Sequence, residues 1–283
     1  MAVWFNEKHA PGVQLSIRVK RQLASVESEF QRIDIYDSYE LGRFLAIDGY
    51  IMLTEKDEFI YHEMITHVPM AVHPDPKSIL VVGAGDGGVL RELAKYDTVA
   101  HIDLVEIDKE VVSMCKRHLP QTACGFDDPR LKIHYEDGVR FVRHCQDTYD
   151  VIIVDSTDPF GPGEGLFTME FYGSCYKALK KDGILVNQHE SPFYHKDAEA
   201  MQRAHKRIAA CFGVCRVYQA HVPTYPSGHW LFGFASKQFH PYKDLDAAKW
   251  NARGIQTNYY NTNLHQGAFY LPNYVEKLLR DVE

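Results

Sequence analysis

Residues 154–165 read VDSTDPFGPGEG. Asp155 and Asp158 follow the apolar run Val151–Ile152–Ile153–Val154, and neither Lys nor Arg occurs from Asp147 through Phe171. Two carboxylates without a protein cation nearby suit a cationic substrate: they can orient an ammonium by charge-assisted hydrogen bonds, and one of them can accept its proton. A plainer reading is also open, because loops rich in Asp, Pro and Gly often do no more than cap a turn or the next helix.

A second constellation supplies context. Gly83, Gly85 and Gly88 form G-x-G-x-x-G, which after a strand and before a helix lets the backbone turn tightly and approach a ligand at the helix N-terminus. About 20 residues on, Glu106 ends the next apolar run, where a carboxylate can accept both hydrogen bonds of a ribose diol. Asp137–Gly138 ends a third run. Asp137 suits an adenine amino group or the N-cap of the following helix, and the two roles are compatible. Asp86, inside the glycine loop, would repel a pyrophosphate, so a nicotinamide dinucleotide is disfavoured. The loop suits a nucleoside with an uncharged or cationic tail.

The elements that must position these groups follow from the periodicity. Residues 13–54 alternate apolar and polar positions, with turn signals at Ser38–Gly42 and Asp48–Gly49, and predict a small antiparallel β domain over residues 1–55. From residue 56 to 283 the pattern predicts strands at 78–83, 101–108, 131–137, 150–155 and 183–188, alternating with helices near 88–95, 109–118, 138–145, 169–180 and 196–212. That is a Rossmann-like α/β domain, mostly parallel and covered on both faces. CRVYQAH and HWLFGFAS, joined by VPTYPSG, predict an antiparallel pair at the sheet edge. Residues 57–67 read as an amphipathic stretch on which His62, by itself, is an ordinary core histidine. The glycine-bearing connection 156–167 is long for a βα loop and reads as a lid or as a plain surface loop.

Composition narrows the class. The 283 residues are 45% hydrophobic and 24% charged, with a formal charge of −7, which disfavours nucleic acid as a partner. Six cysteines without a CxxC pair and fifteen histidines without an HExxH predict neither a disulfide framework nor a metal site. The N-terminus lacks a signal-like apolar segment and nothing reads as membrane-spanning, so a cytoplasmic protein is expected.

With GAGDGG, TEKDEFIYHEM (54–64), DSTDPFGPGEGLF (155–167), PTYPSG (223–228) and the N-terminal WFNE in hand, the chain closely resembles the spermidine synthases over nearly its whole length. One departure is Ala84, where many members carry a third glycine; a methyl is tolerated there if the backbone φ is ordinary. The resemblance implies a polyamine aminopropyltransferase that moves a 3-aminopropyl group from decarboxylated S-adenosylmethionine to putrescine, with no cofactor. It implies Asp155 as proton acceptor and a diamine site from Asp155 through Ser156 and Thr157 to Asp158, with Tyr61, His62, Asp86 and Tyr225 beside it. Trp4 would cap the far end of the amine channel, or be a subunit contact. Gln31, Gly83, Gly85, Glu106, Asp137, Gly138 and Pro162 would hold the thioadenosine part of the donor. Other amine acceptors (cadaverine, agmatine, spermidine), a methyltransferase on the same sheet, and a silent binding protein are the alternatives. A homodimer or homotetramer is expected, because a small β domain leaves strand edges exposed.

Overall fold

The structure, a computed structural model, describes residues 2–157, 161–280 and 282, the side chain of Pro162 excepted. Five strands form the first sheet in sequence order: β1 (Val3–Ala10), β2 (Val13–Glu27), β3 (Arg32–Ser38), β4 (Arg43–Ile47) and β5 (Tyr50–Thr54), every pair antiparallel. The β4–β5 turn has positive φ at both Asp48 and Gly49, the geometry the Asp-Gly signal predicts. Strand β1 was not expected, because the alternation was read only from residue 13.

The rest alternates, with α1 and α4 in addition to the helices expected: α1 (Glu58–Val72), β6 (Ser78–Gly83), α2 (Gly88–Ala94), β7 (His101–Glu106), α3 (Lys109–His118), α4 (Pro120–Ala123), β8 (Leu131–Tyr135), α5 (Gly138–Arg143), β9 (Tyr149–Asp155), α6 (Met169–Ala178), β10 (Leu179–Gln188), α7 (His195–Ala209), β11 (Val214–His221) and β12 (His229–Ser236). The second sheet has the order β11-β12-β10-β9-β6-β7-β8. Strands β10, β9, β6, β7 and β8 pair in parallel, while β12 is antiparallel to both β10 and β11. The last hairpin therefore inserts β12 beside β10 and leaves β11 at the edge. Three short helices follow, α8 (Ala247–Ala252), α9 (Thr262–Ala268) and α10 (Asn273–Arg280). None was predicted.

Alternate residues of each parallel strand enter different cores, as a sheet covered on both faces requires. Ile79, Val81, Val151, Ile153, Ile184 and Val186 pack with α1 and α2. Leu80, Val82, Ile152, Val154 and Leu185 pack with Phe171, Tyr172 and Ile208 of α6 and α7. Helix α1 corrects the amphipathic reading: every residue from Glu58 to Val72 except Phe59 is buried. It is enclosed by the sheet, by α2 and by the C-terminal segment, whose Asn258, Tyr259 and Tyr260 N–H groups donate to the Glu63 carboxylate at 2.8 Å each. A helix wrapped on all sides has no polar stripe to read.

Ala84 also departs from expectation. Its φ is +61°, left-handed rather than ordinary, and its N–H donates to the Asp155 carbonyl at 2.8 Å. A Cβ in that conformation costs about 1–2 kcal/mol, partly offset by the greater unfolded-state entropy of glycine. Ala84→Gly is therefore expected to stabilise the chain by ~0.5–1 kcal/mol, read as a higher denaturant midpoint. A lower midpoint would show that packing of the buried methyl outweighs the backbone strain.

Candidate active site

The carboxyl ends of the parallel strands bring Gly83, Glu106, Asp155 and Gln188 to one edge of the second sheet, with Asp137 just beyond β8. Over that edge the first sheet forms the opposite wall of a cleft, with Leu45, Ile47, Tyr50, Ile51 and Met52 in its lining. The cleft encloses about 1260 Å3 of empty space, part of it open to solvent.

The glycine motif shapes this edge by close contact. A Cβ at Gly83 would lie 2.0 Å from the Asp155 carbonyl oxygen, one at Gly85 2.9 Å from Glu106 Oε2, and one at Gly88 2.2 Å from His62 Cε1. Each glycine thus admits one of the groups that the sequence singles out. Glu106 is buried, and its Oε1 accepts the Asp108 N–H at 2.9 Å. Burial and the charge of Asp108 push its pKa up to about 7 against those hydrogen bonds. Asp137 caps α5, its Oδ1 accepting the Val139 N–H at 2.7 Å, and it also lines the cleft, as does Gly138. Gln31 lines the cleft from the first sheet and donates to Asp108 at 3.0 Å, beside a 2.6 Å bond from Ser28 to the same oxygen.

The other end of the cleft is built around α1. Asp57, just before the helix, accepts from Thr54 at 2.6 Å and from the Thr224 N–H and hydroxyl at 3.0 and 2.7 Å. This ties the helix start to the loop bearing Tyr225, whose hydroxyl donates to the Met52 carbonyl at 2.5 Å. Tyr61 and His62, adjacent on the helix, then point to different partners. The Tyr61 hydroxyl donates to Asp155 Oδ1 at 2.6 Å, and its ring meets Tyr225 edge-on. His62 lies between two carboxylates, with Nδ1 2.6 Å from Glu58 Oε2 and Nε2 3.2 Å from Asp86 Oδ1. Burial alone would favour the neutral ring, yet the charges of Asp86 and Glu58 raise its pKa well above the usual range, so His62 is an imidazolium. Asp86 is half-buried, and its partial desolvation would raise its pKa, but the charge of His62 and the Gly88 N–H, 2.7 Å away, keep it below the usual value. The aspartate of the glycine loop is therefore already paired.

Asp155 is not. Its Oδ2 and the Ser156 hydroxyl are buried with no hydrogen-bond partner among the described residues. Burial and the Asp86 charge raise its pKa to about 7, against the opposing influence of His62 and the Tyr61 hydroxyl. Among the described residues, the lining contains six carboxylates (Glu7, Asp86, Glu106, Asp137, Asp155, Glu190) and neither Lys nor Arg.

Thr157 and Ser156 line the cleft as expected, but Asp158 lies outside the described residues, as does the side chain of Pro162. The connection after β9 is partly regular, with a 3-10 helix over Gly161–Phe167. Trp4 is a correction. It is 52% exposed, on the strand face opposite Phe5, Glu7 and His9, and it does not line the cleft. Glu7 and His9 do, and strand alternation applied to WFNEKH would have found them. Gln188, Glu190 and Trp230 also line the cleft, and sequence reading missed them. Glu190 has φ +67° and accepts from Gln188 at 2.8 Å; a strained backbone of this kind carries no signal in residue type. His62, Asp86 and Asp155 each bring one ligand atom within 4.8 Å of the others.

A Rossmann-like sheet with a buried glutamate at one end of its cleft and clustered carboxylates at the other suits a class: α/β enzymes that bind a nucleoside-bearing donor beside a cationic second substrate. The comparisons agree. Residues 58–246 match the spermine/spermidine synthase domain, and residues 3–55 the spermidine synthase tetramerisation domain. Polyamine aminopropyltransferases of Alkaliphilus oremlandii and Lachnoclostridium phytofermentans are 63% and 62% identical over 283 residues, the whole of each chain. A spermidine synthase solved with the transition-state analogue AdoDATO superimposes with a TM-score of 0.96 at 45% identity, covering 98% of this chain and 95% of that one. The spermidine synthase of Thermotoga maritima gives 0.94 at 45% identity, covering 98% and 94%. The chain belongs to the spermine/spermidine synthase family and is an aminopropyltransferase. No helix among the described residues is long and apolar enough to cross a membrane.

The electrostatics predict a conflict between stability and function. Asp155 has a folded pKa near 7 against an ordinary 3.8. A raised carboxyl pKa leaves stability intact below the unfolded value and removes it as pH rises through the folded one. Asp155→Asn is therefore expected to raise the melting temperature of the ligand-free protein by several degrees at pH 8, and to change it little near pH 4. An equal shift at both pH values would mean that the gain does not come from the charge.

Proposed function

We propose that the chain transfers the 3-aminopropyl group of decarboxylated S-adenosylmethionine to putrescine, giving spermidine and methylthioadenosine, with Asp155 as the proton acceptor. The observation that carries this is the unpartnered Oδ2 of Asp155, buried between the nucleoside end of the cleft and its anionic end. Glu106 accepts both hydroxyls of the donor ribose, Asp137 and Gly138 meet the adenine, and Gln31 reaches the donor from the first sheet. Gly83 and Gly85 leave room for the backbone to pass close by. Pro162 would complete this end.

The donor sulfonium makes the propyl carbon bonded to it electrophilic, so no metal or cofactor is required. The acceptor limits the rate, since an alkylammonium with a pKa near ~10.4 is nucleophilic in only about one molecule in a thousand at neutral pH. Asp155 Oδ2 takes one ammonium proton, the freed nitrogen lone pair attacks the carbon in line with the C–S bond, and the sulfur leaves as the neutral thioether of methylthioadenosine. Tyr61 holds the other oxygen of Asp155 in place, while Ser156 and Thr157 flank the amine, as the family resemblance would have Asp158 do. Tyr225 and the Asp86–His62 pair line its path. Putrescine is the default acceptor; cadaverine, agmatine and spermidine differ in how they fill the far end, beside Glu7 and Glu190. A methyltransferase reading is disfavoured by the anionic lining, which meets the extra carboxylate of intact S-adenosylmethionine with like charge.

A homo-oligomer is part of the proposal, a homotetramer or a homodimer. The match of residues 3–55 to a tetramerisation domain supports it, as do Val3, Trp4, Val13 and Leu15, exposed on the two faces of the first hairpin. On this reading Trp4 serves a subunit contact.

Asp155→Asn should fold and lower kcat with putrescine by at least about 100-fold, the lower end of a positioned base's contribution. Most of the activity surviving at neutral pH would remove Asp155 from that role. Methylthioadenosine affinity should fall as pH drops below about 7, where Glu106 gains a proton, and Glu106→Gln should be weaker-binding and pH-independent over that range. Unaltered affinity in the variant would contradict the ribose assignment. Asp86→Asn should narrow the preference for decarboxylated over intact S-adenosylmethionine; because His62 offsets part of the charge, the loss is put at about tenfold, or ~1.4 kcal/mol. Equal discrimination in competition binding would place selectivity elsewhere.

A further inference from the structure

Behind the groups that touch the cleft stands an ionic chain whose first members do not. Glu58, in the first turn of α1, is buried and shares its two oxygens between cations. Arg91 of α2 grips it with two nitrogens, Nη1 to Oε1 at 2.6 Å and Nη2 to Oε2 at 2.9 Å, and His62 Nδ1 meets Oε2 at 2.6 Å. Arg91 is fixed in turn by Glu92 at 2.9 Å and the Gln121 carbonyl at 3.3 Å. Glu58 and Arg91 do not line the cleft, whereas His62, Asp86 and Asp155 do.

We propose that Glu58 is a positioning residue of this site: clamped by Arg91, it fixes the His62 ring and keeps it an imidazolium, so that Asp86 is neutralised in place and Asp155 remains the carboxylate open to the substrate ammonium. The geometry leaves little freedom. With Glu58 bonded to Nδ1, the ring can only turn Nε2 toward Asp86, and the Gly88 backbone, which leaves no room for a Cβ beside the ring, blocks rotation on the other face. The titratable and charged groups facing the ring are Glu58 and Tyr61 from its own helix, Asp86 from the glycine loop, Arg91 from α2 and Asp155 from β9, with Cys115 of α3 behind Asp86. Two carboxylates touch the ring directly. Removing the charge of one leaves a buried imidazolium with a single 3.2 Å partner, and burial then favours the neutral ring. A neutral His62 would leave Asp86 as a bare anion facing Asp155, and Asp155 would hold its proton to higher pH.

The test reads the ring itself. In protein with labelled histidines, the His62 resonances, identified by their loss in His62→Gln, are expected to remain those of an imidazolium well above the ordinary histidine range in the parent protein. In Glu58→Gln they should titrate at least ~1 pH unit lower than in the parent, and Glu58→Asp, which keeps the charge, should recover most of the difference. Unchanged titration in Glu58→Gln overturns the proposal, even if activity falls. If Glu58→Gln does not accumulate folded, Glu58→Met, which fills a similar volume without the charge, takes its place: His62 should titrate lower there too, and an unchanged titration overturns the proposal equally. The catalytic consequence rests on the aminopropyl-transfer reading. The acidic limb of kcat should move to higher pH in Glu58→Gln while KM for the donor stays nearly constant, and a limb that stays in place rejects the link to Asp155. Should no variant, nor the parent, turn over putrescine, the transfer reading fails while the ring titration still decides the role of Glu58.

Discussion

A carboxylate buried without a full set of partners is among the less favourable things a fold can contain, and the arrangement around Asp155 is organised by that constraint. One oxygen is held by Tyr61 at 2.6 Å and the other has no protein partner among the described residues. The backbone beneath it is fixed more firmly than the side chain. Strand β9 lies between β6 and β10, and the Asp155 carbonyl accepts the N–H of Ala84, a residue in left-handed conformation where the chain turns into the glycine loop. Strain at Ala84 and desolvation at Asp155 are adjacent, and both are carried by a sheet that is apolar on each face. Sites of this kind spend stability on readiness, which is where unfavourable local features tend to cluster.

The two sheets are mutually dependent at the cleft. The first contributes Gln31 and Ser28 to Asp108, and the Met52 carbonyl to the Tyr225 hydroxyl. The second returns Arg43's partner, the His118 carbonyl, at 2.6 Å. Asp108 shows how one residue serves several ends: it caps α3 through Glu110, anchors Gln31 and Ser28, and raises the pKa of neighbouring Glu106. The donor end and the seam between the sheets are therefore the same piece of structure, and a change at either is expected to be felt at the other.

How much of this was legible in the sequence depends on what carried the signal. The parallel strands were readable because residues buried on both faces form short β-branched runs, and GAGDGG and DSTDP mark their ends. The site residues that close on these strand ends, Glu106, Asp155 and Asp137, came with them. Helix α1 was visible only as an amphipathic stretch and not as a buried helix, since Glu58, His62, Glu63 and His67 are polar residues satisfied in the interior. The final three helices are 6, 7 and 8 residues long, too short to show a clear period. Trp4 went to the wrong side because resemblance was followed where the alternation of β1 pointed the other way. The charge on His62 was not readable at all, because it depends on two carboxylates converging from different elements, with an arginine behind one of them.

The account rests on one claim, that the cleft meets its substrate as an unsatisfied anion centred on Asp155. Proton exchange on binding tests it most directly. With methylthioadenosine already bound, putrescine should fix Asp155 in its ionised form, so calorimetry in buffers of different ionisation enthalpy should report proton release that is large near pH 6 and falls toward zero by about pH 8.5 as Asp155 ionises unaided. The release should vanish in Asp155→Asn. Binding without proton release at pH 6, or release that persists in that variant, would contradict the claim.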